Sequence, residues 1–185
     1  MTVSREEAWK LLGEFVGNPQ LVKHMLAVEA AMKYYAGMYG EDQEWWGIVG
    51  LLHDFDYEKF PSLDDHPFRG SEILRQRGYP DEIISTIRAH APHTCEPRDT
   101  RAKKVIFAVD ELCGFIIAIA LIQPNKKLSE VDVRSVKKKL KSKSFARQIN
   151  RSEIQQGAVE LGLSIDEHVA NVLQALQTIS GQLEL

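Results

Sequence analysis

Apolar side chains recur every three to four residues along most of this chain, the spacing that places them on one face of an α-helix. The clearest stripe consists of Leu21, Met25, Val28, Met32 and Tyr35. Asn18 and Pro19 come just before it, and an asparagine cap followed by a first-turn proline is typical of a helix start. The pattern therefore predicts a long amphipathic helix over residues 19–38.

The rest of the chain shows the same periodicity and no convincing alternation of apolar and polar positions, so an all-α fold is predicted. Helices are expected over residues 4–16, 19–38, 42–54, 66–78, 80–90 and 101–122. Two polar segments, residues 55–65 and 92–100, are expected to be loops.

A boundary is predicted at residues 123–125, whose sequence is Gln-Pro-Asn and after which the composition changes. Residues 1–123 are expected to form a core of five or six helices. Residues 124–185 are expected to form a helical extension packed on that core, with a basic helix over 130–148 and an amphipathic helix over 164–179.

Short polar signals predict where the helices of the extension begin. Ser129 with Asp132 resembles a capping box ahead of the basic helix. Asn150 is expected to start a short helix, and Ser164 with Glu167 to cap the last long one.

The composition narrows the class of protein. With 44% hydrophobic residues the chain can bury one good core, and a net charge of −3 argues against general binding to nucleic acids or membranes. The N-terminus lacks the apolar stretch of a secretory signal, and the longest apolar run, residues 112–122, is too short to span a bilayer. Cys95 and Cys113 form no C-x-x-C pair. We expect a soluble, reduced, cytoplasmic protein.

Histidines and aspartates at helix ends and on apolar faces are the candidate chemical groups. His53 and Asp54 end an apolar helix, but a solvated helix end would explain this pair as well as a metal site does. His24 taken alone has a plainer explanation as a core residue. Asp110 is harder to dismiss, because a carboxylate in an apolar helix is costly unless it is paired or bound to metal.

The order of these residues resembles the HD-domain superfamily of metal-dependent phosphohydrolases. Its pattern of a histidine, a His-Asp pair and a distant aspartate is matched by His24, His53, Asp54 and Asp110. The two additional histidines of two-metal members are matched by His66 in HPFRGSEIL and His90 in IISTIRAH. The resemblance covers about residues 20–123, and the chain is also similar to a bacterial branch that shares the basic tail VKKKLKSKSFAR.

The resemblance implies an HD-domain-like helical bundle with a dinuclear site, in which Asp54 is the bridging ligand and the main catalytic residue. The other ligands would be His24, His53 and Asp110 on one ion, and His66 and His90 on the other. Imidazoles mixed with carboxylates suit Fe, Mn, Co, Ni or Zn better than Mg. The expected reaction is cleavage of a phosphate ester or a nucleotide phosphoanhydride by a metal-activated water.

Two other functions stay open. A few members of the superfamily use the same ligands to bind two irons and oxidise a small molecule with oxygen. Others are ligand-binding modules with an incomplete site, which the complete ligand set argues against. The expected partner is a small phosphorylated substrate, with nucleotides among the candidates, and neither its identity nor the oligomeric state follows from the sequence.

Charged residues near the motif are weaker candidates. Asp56, Glu58 and Lys59 follow the His-Asp pair and could do chemistry, orient the ligand histidines or belong to a solvated loop. Arg69 lies near a helix N-terminus, where an anion would bind, and His93 follows His90 closely. Lys59, Arg69 and His93 are therefore candidate substrate contacts.

Further cations could bind phosphate from other parts of the chain. Arg98 and Arg101 lie near the loop after His93 and could clamp a phosphate. Residues 134–151 are rich in Lys and Arg and contain no acidic residue. This stretch is either a solvated helix face or a basic flap that grips a phosphorylated ligand, with Lys137 and Lys138 as the candidate contacts.

Overall fold

The structure is a computed structural model that describes residues 3–185, so residues 1 and 2 of the predicted core lie outside the described residues. The described residues contain helices and turns but no strand, which confirms the predicted all-α fold. The helices are α1 (Arg5–Phe15), α2 (Pro19–Tyr39), α3 (Gln43–Leu52), α4 (Phe68–Gln76), α5 (Asp81–Arg88), α6 (Arg101–Leu121), α7 (Val133–Leu140), α8 (Arg151–Glu160), α9 (Ile165–Thr178) and α10 (Ser180–Leu183). Among residues 3–185, no helix is both long and apolar enough to cross a membrane.

Several helix starts follow from the cap residues as predicted. The side chain of Asn18 accepts a hydrogen bond from the backbone N–H of Gln20 at the start of α2. Ser164 and Glu167 form a reciprocal capping box at the start of α9. These interactions join residues two or three positions apart, so the local sequence is enough to specify them.

The basic helix differs from its prediction in both its cap and its length. The cap is Asp132, whose carboxylate accepts a hydrogen bond from the backbone N–H of Ser135, so the predicted box of Ser129 with Asp132 is wrong. Residues 128–130 form a separate 3-10 turn instead. The helix ends at Leu140 and does not continue to residue 148.

Arg151 explains why the chain leaves the helix after Leu140. Its guanidinium donates hydrogen bonds to backbone carbonyls of the preceding segment, namely those of Ser142, Phe145, Ala146 and Ile149. Ala146 also adopts a left-handed backbone conformation with φ of 41°, which an α-helix excludes. A side chain from α8 therefore takes the carbonyls that a longer helix would have used.

The helices share one hydrophobic core. α2 packs most extensively against α3 and also contacts α6 and α9, while α8 packs on α6. Phe115 of α6, Ile154 of α8 and Val172 of α9 are buried in the same cluster. A Cβ atom at Gly157 would lie 2.6 Å from Cα of Ala108, so the backbones of α8 and α6 touch. The predicted boundary at residue 123 falls in the turn between α6 and α7, and the division of the chain there stays a prediction.

His168 of α9 is a structural histidine. It is fully buried, its Nε2 donates a hydrogen bond to the carbonyl of Ala108, and its Nδ1 accepts one from the hydroxyl of Tyr35. Burial lowers the pKa of His168 to about 4. The ring is therefore neutral in the folded protein and joins α9 to α2 and α6.

Acid should destabilise the protein through His168. The unfolded chain binds a proton at this histidine below its ordinary pKa of about 6.5, whereas the folded protein resists protonation until about pH 4. The stabilising contribution is complete above pH 6.5 and falls by up to about 3 kcal/mol as the pH drops to 4. Denaturant titrations of the protein and a His168→Gln variant should show the wild type losing free energy of unfolding relative to the variant over this range. Parallel pH curves would contradict the assignment.

Candidate metal centre

Five segments of the chain bring the six predicted ligands together. His24 lies in α2 and Asp110 in α6, while the other four lie just outside helices. They are His53 and Asp54 after α3, His66 before α4 and His90 after α5. The sequence-predicted ligands therefore converge on one place in the fold.

A glycine lets α2 and α3 approach closely enough to place their histidines side by side. A Cβ atom at Gly50 would lie 2.9 Å from the backbone N and Cα of Glu29 in α2. The two helices thus meet backbone to backbone one turn before His53. This contact brings Nε2 of His53 to 3.2 Å from Nε2 of His24.

Two imidazoles are oriented by the carbonyls that a helix leaves free at its C-terminal end. Nδ1 of His53 donates to the carbonyl of Gly50 over 2.8 Å, and Nδ1 of His90 donates to the carbonyl of Ile87 over 2.6 Å. Because Nδ1 carries the hydrogen in both rings, Nε2 is the atom that points into the centre and can bind a cation.

His66 is oriented by a carboxylate instead. Its Nδ1 lies 2.8 Å from Oδ1 of Asp56, which is 1% exposed, and Oδ2 of Asp56 accepts a hydrogen bond from the backbone N–H of Gly70. Both oxygens of Asp56 are acceptors, so Nδ1 of His66 is a donor and its Nε2 faces the other ligands.

The first group of ligand atoms, which we name the His24 set, consists of His24, His53, Asp110 and one oxygen of Asp54. Oδ1 of Asp110 lies 3.0 Å from Nε2 of His24 and 3.4 Å from Nε2 of His53. Oδ2 of Asp54 lies 3.6 Å from Nε2 of His53 and 4.0 Å from Nε2 of His24.

The second group, the His66 set, consists of His66, His90 and the other oxygen of Asp54. The two Nε2 atoms are 3.2 Å apart, and each lies 3.2 Å from Oδ1 of Asp54. The donor atoms of His24, His53 and Asp54 all lie within 4.8 Å of one another, and so do those of Asp54, His66 and His90. Asp54 therefore presents one carboxylate oxygen to each set.

The spacing of these atoms fits divalent transition metals. Two ligand atoms that each lie about 2.1 Å from one ion are about 3.0 Å apart in octahedral and about 3.4 Å apart in tetrahedral geometry. The 3.2 Å separations of the His66 set lie between these values. Oδ1 of Asp54 is buried and has no hydrogen-bond partner among the described residues, which is costly unless a cation binds there.

The carboxylates also create a strongly negative potential at the centre. Burial alone would lower the pKa of His53, but Asp54 and Asp110 raise it to about 9. Burial likewise opposes the charge of His66, yet the carboxylates of Asp54 and Asp56 raise its pKa to about 10. Burial would raise the pKa of Asp54, but the surrounding imidazoles hold it well below its usual range. The centre therefore attracts cations, whether protons or metal ions.

Three charged residues soon after the His-Asp pair, Asp56, Glu58 and Lys59, have three different surroundings. Asp56 orients His66, one of the roles that the sequence left open. The exposed carboxylate of Glu58 accepts hydrogen bonds from the backbone N–H groups of Gly17 and Asn18. Nζ of Lys59 donates to the carbonyl of Glu14 and lies 4.2 Å from the ring centroid of Phe15. The structure therefore does not bring Lys59 into the ligand cluster, and its role as a substrate contact stays a prediction.

Two other candidate contacts are engaged near the His66 set. Nε2 of His93 donates a hydrogen bond to the backbone carbonyl of His66 over 2.8 Å, so this side chain helps to hold the backbone of a predicted ligand in place. Arg69 is exposed and pairs with Asp65 and Glu72, each at 3.3 Å. A direct contact of either residue with substrate stays a prediction.

The remaining candidate cations form ion pairs or lie on the basic helix. Arg98 binds both carboxylate oxygens of Glu160 at 2.7 Å, and Arg101 lies 3.6 Å from Glu41. Lys137 pairs with Asp166. Lys138 is exposed on α7, and the part played by Lys137 and Lys138 in substrate binding stays a prediction.

The residues that shape the centre without donating a ligand atom were not predicted from the sequence. Gly50 allows the approach of α2 and supplies a carbonyl, and Ile87 supplies the carbonyl that orients His90. The detectable signal is a histidine three residues after an apolar position at a helix end, where free carbonyls are available. Tyr57 was also missed, and its ring packs edge-on against His66 with centroids 5.2 Å apart.

Comparison with known proteins identifies a family for this chain. No solved structure matches the chain significantly. The family model that describes the HD domain matches residues 21–113, half of the chain. The match contains all six predicted ligands, and this chain therefore belongs to the HD-domain family, whose members are generally metal-dependent hydrolases.

Proposed function

We propose that this protein is a metal-dependent phosphohydrolase that cleaves a phosphate ester or a nucleotide phosphoanhydride. The observation that carries the proposal is the position of Asp54, whose two oxygens face two separate sets of imidazoles. Divalent ions bound side by side can hold a phosphate group and lower the pKa of a water so that it attacks phosphorus. Mn, Fe, Co, Ni or Zn would suit these mixed ligands.

In this proposal the chain holds the metal ions and supplies no nucleophile of its own. Cys113 is fully buried in α6, and burial raises the pKa of its thiol well above the usual value. Cys95 is exposed and follows the 3-10 turn at residues 92–94, where its Sγ lies 3.9 Å from the carbonyl of His93. Among residues 3–185, neither thiol is hydrogen-bonded to an imidazole or a carboxylate that could act as the base in nucleophilic catalysis.

The charge of the phosphate would be met by the metal ions. Among residues 3–185, no Lys or Arg nitrogen lies within ion-pair distance of Asp54 or Asp110, whose close partners are all histidines. Within the described residues these two carboxylates are therefore not neutralised by a Lys or Arg side chain and are available to divalent ions. This arrangement favours a substrate whose phosphate binds directly to the ions.

Tyr57 supports a substrate that carries an aromatic group, such as a nucleotide. Its side chain is 41% exposed although its ring packs against His66. An exposed aromatic ring beside the reacting phosphate offers a stacking surface for a base. A small phosphorylated molecule with an aromatic part is accordingly the substrate class that we propose.

Phosphate release by metal-loaded protein tests the proposal. Protein stripped with a chelator and reloaded separately with Mn, Fe, Co, Ni or Zn should release phosphate or pyrophosphate from a panel of nucleotides, cyclic dinucleotides and sugar phosphates. Activity should disappear when the chelator is added again, because in this proposal the bound ions activate the attacking water. Colorimetric phosphate detection with mass spectrometry of the products gives the measurement.

One outcome would replace the proposal with a different reaction. Purified protein that retains two irons, shows a mixed-valent signal, consumes oxygen with a small substrate and releases no phosphate from any panel member would be an oxygenase.

A further inference from the structure

Asp56 is a buried carboxylate that contacts a predicted ligand but does not itself point into the centre. It lies two residues after Asp54 and is 1% exposed. Its Oδ1 lies 2.8 Å from Nδ1 of His66, and its Oδ2 lies 2.7 Å from the backbone nitrogen of Gly70. Both oxygens are thus used in short hydrogen bonds, which fixes the carboxylate behind His66.

This partner distinguishes His66 from the other ligand histidines on helix ends. Nδ1 of His53 and Nδ1 of His90 each donate to a neutral backbone carbonyl. Nδ1 of His66 donates to a carboxylate, which raises the electron density of the ring and makes Nε2 a stronger metal ligand. The two sets of ligands are therefore unequal even though both contain two imidazoles.

The N-terminus of α4 also holds the carboxylate of Asp56 in place. α4 begins after Pro67, which makes no side-chain cap, and the N–H of Gly70 in its first turn is bonded to Asp56. Negative charge is favourable at this end of a helix. A Cβ atom at residue 70 would lie 2.7 Å from Cγ of Asp56, so only glycine leaves room for the carboxylate.

We infer that Asp56 is a positioning residue that sets the affinity of one metal ion, the one held by the His66 set. It acts through His66 and the N-terminus of α4 and does not contact the ion. The inference rests on the proposed binding of two ions, but not on the identity of the substrate.

Metal titration of the full chain tests the inference without an activity assay. Co²⁺ added to chelator-stripped protein should bind in two steps, measured by calorimetry and by visible absorption. In Asp56→Asn, the affinity of one step should fall about 10- to 100-fold, the usual cost of removing a residue that supports a ligand histidine. The other step should be unchanged, and the visible bands should change only for the weakened ion.

Variants of the ligands identify which ion is affected. His90→Gln should remove the step that Asp56→Asn weakens, and His24→Gln should leave it in place. Glu58→Gln is a control from the same loop, since the Glu58 carboxylate likewise accepts two hydrogen bonds, but both come from backbone N–H groups and neither comes from a predicted ligand. Its titration should match that of the wild type.

A second variant keeps the test decisive if Asp56→Asn does not fold. Gly70→Ala leaves the charge of Asp56 in place but displaces the carboxylate, so it should weaken the same step selectively.

Equal weakening of both steps, or unchanged binding in the folded variants, would overturn the inference and leave the proposed hydrolase intact. A wild type that binds fewer than two ions would overturn the two-ion site itself and with it the inference. Two-step binding without phosphate release would instead contradict only the proposed function.

Discussion

Replacing Asp54 with alanine is expected to abolish metal-dependent turnover and to reduce the metal content below two ions per chain. Asp54 is the one side chain shared by the His24 set and the His66 set, so its removal takes a ligand atom from both. Loss of a residue that only supports a ligand costs about 10- to 100-fold, so the loss of a shared ligand should exceed 100-fold. Phosphate release and metal analysis of the purified variant give the measurement.

The helical fold should survive this substitution. Asp54 follows α3 and its buried Oδ1 accepts no hydrogen bond from the described residues, so no helix depends on that atom. The circular dichroism spectrum should match that of the wild type. Asp64→Ala, which removes an exposed carboxylate from the same connection, is the control and should retain both activity and metal. Near-wild-type turnover by Asp54→Ala with metal bound would show that the assignment is wrong.

Gly50→Ala is expected to destabilise the protein by about 1–2 kcal/mol and to weaken metal binding. The new methyl group would meet backbone atoms of Val28 and Glu29 at 2.9 Å, and backbone atoms cannot rotate away as a flexible side chain can. Overpacking of this kind costs about 1–3 kcal/mol and sometimes more, while the better helix propensity of alanine returns at most about 1 kcal/mol. Separation of α2 from α3 also moves His24 away from His53.

Gly13→Ala is the matched control, and its effect should have the opposite sign. Gly13 is exposed within α1, and a Cβ atom there would have no neighbour within 4 Å. The same change of residue should therefore stabilise the protein by up to about 1 kcal/mol. Denaturant titrations of both variants compare the free energies of unfolding. A Gly50→Ala variant as stable as the wild type would show that α2 and α3 can separate at little cost.

Much of the fold could be predicted from the sequence because its signals are local. The stripe that begins at Leu21 and the caps at Asn18 and Ser164 involve residues within a few positions of one another, and each specified its helix correctly. The basic helix was overextended because its end depends on Arg151, whose guanidinium captures carbonyls that precede it by up to nine residues. The periodicity of apolar residues does not indicate such hydrogen bonds between a side chain and distant backbone carbonyls.

The ligand residues could likewise be identified in order along the chain, because their types and spacing match the HD-domain pattern. The sequence could not show that the two oxygens of Asp54 divide between two sets, or that the rings present Nε2. Those facts depend on the approach of α2 to α3 at Gly50 and on free carbonyls at the ends of α3 and α5. They arise from contacts between distant segments.

Asp56, Glu58 and Lys59 show most clearly what only the tertiary structure decided. In the sequence they are three charged residues of one loop, and nothing distinguishes which of them orients a ligand histidine. In the structure Asp56 is buried behind His66, Glu58 bonds the amides that precede α2, and Lys59 bonds a carbonyl of α1. The sequence by itself determined the helices and the ligand types, since these follow from local periodicity, caps and motif order. The turn after α3 decided which of the three charged side chains contacts a predicted metal ligand, because its backbone directs each side chain toward a different part of the fold.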